Sequence, residues 1–295
     1  MKNPLSENYK FDENDLETIE LAKNGDKKAL EQIIKDNQNY IYNIALRMVF
    51  NPEEAKDITQ EVLIKVITNL SRFEAKSKLR TWIYRIAVNH ILNFKKTSGE
   101  KMHANSFSIY GNLIDETPDY ELPDNSNYSV DMKIIVEEVK YSCMFGMLLC
   151  LDREQRMVYV LGAMFGVTDK TGAEIMNISR DNFRQKLSRA RKDMYSFMNN
   201  KCGLVNKNNP CRCEKKTKEL LDVGYVNPQS LRFNVNYYNT IEKEVGKKLN
   251  EFINLSEEVC EDLFRTQPFQ ISPDFAAYFK ELINSGKFKD IFNYN

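Results

Sequence analysis

The chain has 295 residues with 42 basic and 42 acidic side chains, so its net charge is zero and its length suits about two domains. Gly and Pro are scarce, at 11 and 8, and apolar residues recur at helical spacing, which predicts an all-α fold. The N-terminal residues lack the apolar core of a signal peptide, and no apolar stretch is long enough to span a membrane. We therefore expect a cytoplasmic protein without membrane insertion, whose six cysteines do not form structural disulfides.

Charge is distributed unevenly along the chain. Residues 72–96 contain seven basic and one acidic side chain, and residues 179–201 contain seven and two. Residues 100–131 between them contain one basic and seven acidic side chains. This alternation predicts separate surfaces with separate partners, and the two basic segments indicate nucleic acid.

Residues 15–96 predict a first helical domain. Asn51 followed by Pro52 is typical of a helix start, and the next helix places Ala55, Ile58 and Val62 inward. After the basic loop SRFEAKSK, in which Ser77 could cap the next helix, comes the helix LRTWIYRIAVNHILNFKK. Its cations, amides and aromatics suit single-stranded DNA, since cations follow phosphates and aromatics stack on bases. A solvated amphipathic helix with a core tryptophan is the alternative.

The segment from residue 51 to residue 96 resembles region 2 of the sigma-70 family, especially its extracytoplasmic-function (ECF) type. The resemblance lies in the acidic helix DITQE, a loop with a phenylalanine, and RTWIYRIAVN. It implies contact with the β′ clamp of core RNA polymerase through Asp57, Gln60, Glu61 and Lys65. It also implies that the −10 promoter element is opened and read by Phe73, Lys76, Ser77, Lys78, Arg80, Arg85 and Asn89. Trp82 fits the family's structural tryptophan better than a base-stacking residue.

Residues 97–133 form an acidic linker that we expect to be mostly irregular, because they show no sustained apolar period. The resemblance implies that such a linker threads into the basic cleft of the polymerase, where its negative charge mimics nucleic acid. A merely solvated tether is the alternative. The two histidines, His90 and His103, have no ligand or catalytic constellation around them in the sequence.

Residues 134–199 predict a helix-turn-helix. Asp152 is a candidate N-cap, Gly166 a helix end, Asn177 a left-handed turn residue and Ser179 the cap of a long last helix. The spacing of AEIM and of the last helix is similar to sigma region 4, which reads the −35 element and contacts the β flap. The candidate DNA-binding residues on that helix are Arg180, Asn182, Arg184, Gln185, Lys186, Ser188 and Arg189.

Residues 200–295 predict a cysteine-containing loop followed by a mostly helical extension. Cys202, Cys211 and Cys213 suggest a soft-metal site such as zinc, although zinc usually takes four ligands and only Cys260 follows downstream. Redox sensing and ordinary cysteines in a turn are the alternatives, and no cofactor is required. Breaks at Pro268, Pro273 and Gly286 separate amphipathic helices that we expect to pack as a small bundle, with an inhibitory role as the sharper hypothesis.

Both regions in this order predict a sigma factor that binds core RNA polymerase and promoter DNA, with an anti-sigma factor left open as a partner. The alternatives are a helix-turn-helix regulator that acts without core polymerase and a sigma factor inhibited by its own C-terminal extension. An enzyme is not expected, since the sequence contains no Ser-His-Asp set and no glycine-rich phosphate loop.

Overall fold

A computed structural model describes most of the chain. The described residues are 5, 13–96, 100–101, 106–124, 128, 130–233 and 257–284. His103, the predicted break at Gly286, and residues 234–256 and 285–295 of the predicted extension lie outside them.

The all-α prediction is confirmed. Besides α-helices, the described residues contain a 3₁₀ turn at Leu70–Arg72 and a π-helical turn at Val160–Met164. The helices of the described residues are α1 (Glu13–Lys23), α2 (Lys27–Val49), α3 (Pro52–Asn69), α4 (Leu79–Asn93), α5 (Phe107–Glu116), α6 (Met132–Cys150), α7 (Arg153–Tyr159), α8 (Asp169–Met176), α9 (Arg180–Lys201), α10 (Cys213–Asp222), α11 (Glu257–Arg265) and α12 (Phe275–Asn284).

Most of the predicted helix boundaries follow from local chemistry and are confirmed. The Asn51 side chain accepts hydrogen bonds from the backbone N–H of Glu53 and Glu54, at 3.0 and 3.1 Å, and so starts α3. Asn177 takes the left-handed conformation at the end of α8, with φ of 55°. The prediction for Ser77 was wrong, because α4 begins one residue later with Lys78 at its N-cap and no side-chain cap.

One compact unit contains residues 1–96, 160–185 and 269–295, as far as they are described. In it α2 packs against α1, α3 and α12, and α4 packs against α3 and α8. Ile41 and Ile44 of α2 and Ile58 and Val62 of α3 are fully buried. Burial of such side chains stabilises the fold by about 1.5–3 kcal/mol each. Helix α4, which is expected to read the −10 element, and α8, the first helix of the helix-turn-helix, therefore belong to the same unit.

The second compact unit contains residues 97–159 and 186–268, as far as they are described. Its α6 packs against α5 and α10, and the rings of Phe145 and Phe233 stack with centroids 4.4 Å apart. Arg156 is fully buried and donates hydrogen bonds to the carbonyl oxygens of Leu148 and Leu151, at 2.9 and 3.0 Å. A cation at these carbonyls satisfies the otherwise unpaired C-terminal end of α6.

The linker prediction of mostly irregular structure was wrong for its middle part. Residues 107–116 form α5, whose Tyr110 is buried and donates a hydrogen bond to the carbonyl of Cys143 at 2.9 Å. A Cβ on Gly146 would approach the Tyr110 side chain to 2.5 Å, so a glycine is needed there. The apolar residues of α5 recur at helical spacing over ten residues only, which is why the linker as a whole shows no sustained apolar period.

No helix among the described residues is both long and apolar enough to cross a membrane.

Candidate nucleic-acid interface

The outward side of α3 carries the four residues expected to bind polymerase. Asp57, Glu61 and Lys65 are exposed, and Gln60 is half-buried. They line a cleft of about 720 Å³ together with residues of α4, among them His90. The His90 Nε2 atom lies 3.2 Å from the Glu61 carboxylate, and its Nδ1 atom lies 2.6 Å from Lys65 Nζ. Burial and then Lys65 lower the pKa of His90, against the opposing effect of Glu61, so the ring is neutral near pH 7.

Some of the residues expected to read the −10 element are accessible, and others are not. Lys76, Lys78 and Asn89 are exposed, and Ser77 is half-buried. Phe73 is buried and packs against Trp82 with ring centroids 5.4 Å apart. The ring of Phe73 therefore lies in the core of its unit.

Two arginines of α4 are also held by the chain itself. Arg80 is buried. Arg85 donates hydrogen bonds from Nε and Nη2 to the carbonyl oxygen of Glu174 on α8, at 3.1 and 2.8 Å. The described chain thus holds the Arg85 guanidinium on the helix-turn-helix.

The first helix of the helix-turn-helix and the start of the second pack closely. A Cβ on Gly172 of α8 would come within 2.4 Å of the Phe183 ring of α9, so α8 carries a glycine at the contact. The Ser179 hydroxyl accepts a hydrogen bond from the backbone N–H of Asn182 at 3.1 Å. This arrangement leaves Arg180, Arg184, Gln185, Ser188 and Arg189 exposed and Asn182 and Lys186 half-buried. All seven candidate −35 residues therefore keep some accessible surface.

Asp169 on α8 is a partner of this surface that the sequence reasoning missed. Its carboxylate accepts hydrogen bonds from Arg180, at 3.0 Å, and from Arg184. Burial tends to raise the pKa of Asp169, but these two arginines outweigh it and hold the pKa below its usual value. The sequence feature that could have indicated this pairing is an aspartate in the first turn of the helix that precedes a basic recognition helix.

A second missed feature is a row of amides on α2, Gln38, Asn39 and Asn43. They bind the backbone of residues 269–276, which we call the C-terminal strap. Asn43 donates to the carbonyl of Gln270 at 2.7 Å and accepts from its N–H at 2.9 Å. Asn39 accepts from the backbone N–H of Ser272 at 2.9 Å. A run of amides among the apolar residues of α2 was the available signal.

The side chains of the cysteines are not preorganised around a common point. Within the described ranges, no three His, Cys, Asp or Glu side chains are arranged to hold a metal ion. Cys202 and Cys211 face each other in an isolated parallel bridge, and all six cysteines are free thiols. Cys260, the downstream candidate, is buried with its Sγ atom 3.1 Å from Met198 Sδ.

Comparison with known proteins places these surfaces in a family. The model of sigma-70 region 2 matches residues 33–100, and the model of sigma-70 region 4 matches residues 143–194. The RNA polymerase sigma-H factor of Pseudomonas aeruginosa is 34% identical over 89 residues, which are 30% of this chain and 46% of that protein. The ECF RNA polymerase sigma factor SigW of Bacillus subtilis is 27% identical over 180 residues, covering 59% of this chain and 90% of that protein. A solved structure of CnrH in complex with the cytosolic domain of CnrY has 15% identity and a TM-score of 0.41, covering 62% of this chain and 95% of that chain.

The fold and the two matched regions define a promoter-recognition subunit. The chain belongs to the sigma-70 family, as an ECF sigma factor with regions 2 and 4 and an additional C-terminal part. Such a factor directs promoter recognition by RNA polymerase and is not an enzyme.

Proposed function

We propose that this sigma factor binds core RNA polymerase through the outward side of α3 and reads its promoter with the loop before α4, with α4 and with α9. The observation that carries the proposal is the exposed acidic pair Asp57 and Glu61 on α3. Exposed acidic side chains do not favour binding to duplex DNA alone, because the phosphates repel them. A basic clamp on the polymerase is a complementary partner.

The exposed side of α9 supports the promoter part of the proposal. The N-terminal part of the second helix of a helix-turn-helix enters the major groove, where Arg pairs with guanine and Asn or Gln with adenine. Arg184 and Gln185 are exposed in that part of α9. The side chains of Lys76 and Lys78, exposed before α4, suit the phosphates of the melted −10 strand.

The test is run-off transcription with purified core polymerase on a library of genomic fragments, with and without the full chain. New start sites that depend on the protein, with a shared motif upstream, would support the proposal. Operator binding by the free protein, with no new start sites after the strap is released as described below, would favour the regulator that acts without core polymerase.

We further propose that the C-terminal strap holds the factor in an inactive form. The aromatic rings of Tyr40 on α2, Phe165 in the helix-turn-helix segment and Phe269 of the strap pack together, with centroids 4.7 Å apart for Tyr40 and Phe269. The same unit holds Arg85 on the carbonyl of Glu174. A −10 element cannot use this guanidinium until its two hydrogen bonds to Glu174 break.

Loosening helix α12, which continues the strap, should then raise transcription. Phe279 of α12 is buried, while its neighbour Tyr278 is 51% exposed, and α12 packs on α2. We expect Phe279→Ala to increase promoter-dependent transcription with core polymerase, and the matched control Tyr278→Ala to leave it unchanged. Equal transcription by the wild type, Phe279→Ala and a chain lacking residues 219–295 would refute an inhibitory strap.

The exposed faces of α3 and α4 also suit an anti-sigma factor, which would compete with polymerase for them.

The acidic residues of the linker after α5, Asp119 and Glu121, are exposed, and we propose that this stretch is the part that enters the polymerase cleft.

A further inference from the structure

Four of the six cysteines converge in the second compact unit, and one of them is far from the other three in sequence. Cys202 directly follows α9, and the chain loops back so that Cys211 pairs with it in a parallel bridge. Cys213 is the first residue of α10. The backbone thus places three thiols at one end of the loop formed by residues 202–213.

The fourth thiol is Cys143 on α6. Cys213 packs against an apolar cluster that includes Ile135 and Val139 of α6. Residues four apart share one face of a helix, so Cys143 continues the stripe formed by Ile135 and Val139. Each of the four thiols lies within electrostatic reach of the other three, which agrees with one common location.

The loop that carries three of the thiols is tightly built. The Arg212 guanidinium donates hydrogen bonds to the carbonyl oxygens of Lys207 and Cys211, both at 2.9 Å. A Cβ on Gly203 would come within 2.3 Å of the Cys211 carbonyl, so the two ends of the loop approach each other as only a glycine allows. The Asn209 side chain donates to the carbonyls of Asn199, at 2.8 Å, and Cys202, at 3.3 Å. This internal bonding keeps Cys202 and Cys211 together without any ligand.

Cations lie near three of the four thiols, Cys202, Cys211 and Cys213. Arg212 and Lys216 act electrostatically on Cys211, and Lys140 acts on Cys213. A divalent metal bound by four thiolates carries a net charge of −2, which nearby cations stabilise. Asp119 and Glu137 also lie within electrostatic reach and oppose part of this effect.

We propose that Cys143, Cys202, Cys211 and Cys213 form a tetrathiolate zinc site that joins the cysteine loop and α10 to helix α6. On binding, each thiol gives one proton to solvent, and side-chain rotation brings each sulfur to about 2.3 Å from the metal. Because loop and helix are far apart in sequence, the metal would act as a structural staple of the region that follows the helix-turn-helix.

The test is titration of the reduced, full-length chain with Co²⁺, which gives charge-transfer and d–d absorption typical of tetrahedral thiolate coordination. We expect saturation at one equivalent, displacement by Zn²⁺, and loss of this absorption in Cys143→Ser. The matched control is Cys150→Ser. It changes the other cysteine of α6, which is not a proposed ligand, and should keep the spectrum. Absence of a stoichiometric tetrathiolate spectrum in the wild type, or an unchanged spectrum in Cys143→Ser, would overturn the proposal.

A second measurement needs no variant. Alkylation of the zinc-treated chain, followed by mass spectrometry, should show protection of Cys143, Cys202, Cys211 and Cys213 that disappears when a chelator is added. Equal alkylation of the four with and without zinc would reject the site. A Cys202–Cys211 disulfide that forms in air and persists in the presence of zinc would reject it in favour of a redox role.

Discussion

Arg85 of region 2 donates two hydrogen bonds to the backbone carbonyl of Glu174 in region 4, at 3.1 and 2.8 Å. The residue expected to act on the −10 element is therefore held by the first helix of the −35-binding motif. Hydrogen bonds from a charged donor are stronger than neutral ones. This contact contributes to the packing of α4 on α8, and it must break before Arg85 can bind DNA.

Arg85→Ala is expected to lower the stability of the full chain by about 1 kcal/mol, because both hydrogen bonds to Glu174 are lost at a partly exposed position. Thermal unfolding measures the change. Asn89→Ala, at an exposed position of the same helix, is the control and should stay within about 0.5 kcal/mol of the wild type. Equal unfolding temperatures for Arg85→Ala and the wild type would show that the contact does not stabilise the fold.

The double change Asp57→Ala and Glu61→Ala is expected to weaken binding to core polymerase while leaving the fold intact, since both carboxylates are exposed on α3. Binding is measured by co-purification with core polymerase and by its salt dependence. Glu53→Ala is the control, because Glu53 is an exposed acidic residue in the first turn of the same helix. Equal co-purification of the double variant and the wild type would rule out this docking surface.

Arg184→Ala is expected to reduce discrimination between promoters with correct and altered −35 elements by about 1–3 kcal/mol, if the guanidinium contacts a base. Band-shift or transcription competition between the two promoter types provides the measurement. Lys192→Ala, an exposed cation further along α9, should weaken binding to both promoters equally. A uniform loss for Arg184→Ala as well would assign Arg184 to phosphate.

Asp169→Asn is expected to increase affinity for promoter DNA, because the Asp169 carboxylate competes with phosphates and bases for Arg180 and Arg184. The pKa of Asp169 is lowered in the folded chain, so the pairing is fully present above the ordinary aspartate pKa and is lost only as the pH falls through the lower folded value. DNA affinity measured between pH 6 and pH 8 should therefore show no titration from this group. Unchanged affinity in Asp169→Asn would mean that the two arginines contribute little to DNA binding.

Glu100→Gln is expected to destabilise the second compact unit by about 3–5 kcal/mol, because it leaves a buried guanidinium without its counter-charge. Glu100 is buried and pairs with Arg153 at 2.6 Å and with the fully buried Arg156 at 2.9 Å. Urea unfolding is the measurement. Glu116→Gln, at an exposed position of α5, is the control. A midpoint equal to that of the wild type would show that Arg156 is sufficiently satisfied by the carbonyls at the end of α6.

The sequence by itself determined the helical class, the order of the two family regions and most helix starts, because these depend on local patterns. The cap at Asn51, the left-handed Asn177 and the exposed basic face of α9 all follow from residue types within one or two turns. The helix α5 was missed because one buried tyrosine stabilises it through contacts distant in sequence.

Only the tertiary structure decided which of the expected site residues share a surface. Sequence spacing does not show that Phe73 and Arg80 are buried, that Asp169 pairs with two recognition arginines, or that Cys143 lies within electrostatic reach of three cysteines some sixty residues further on. Such relationships depend on packing between helices that are far apart in the chain. Helical periodicity defines the buried face of each helix, but the partner of that face is set by the free energy of the whole packed unit.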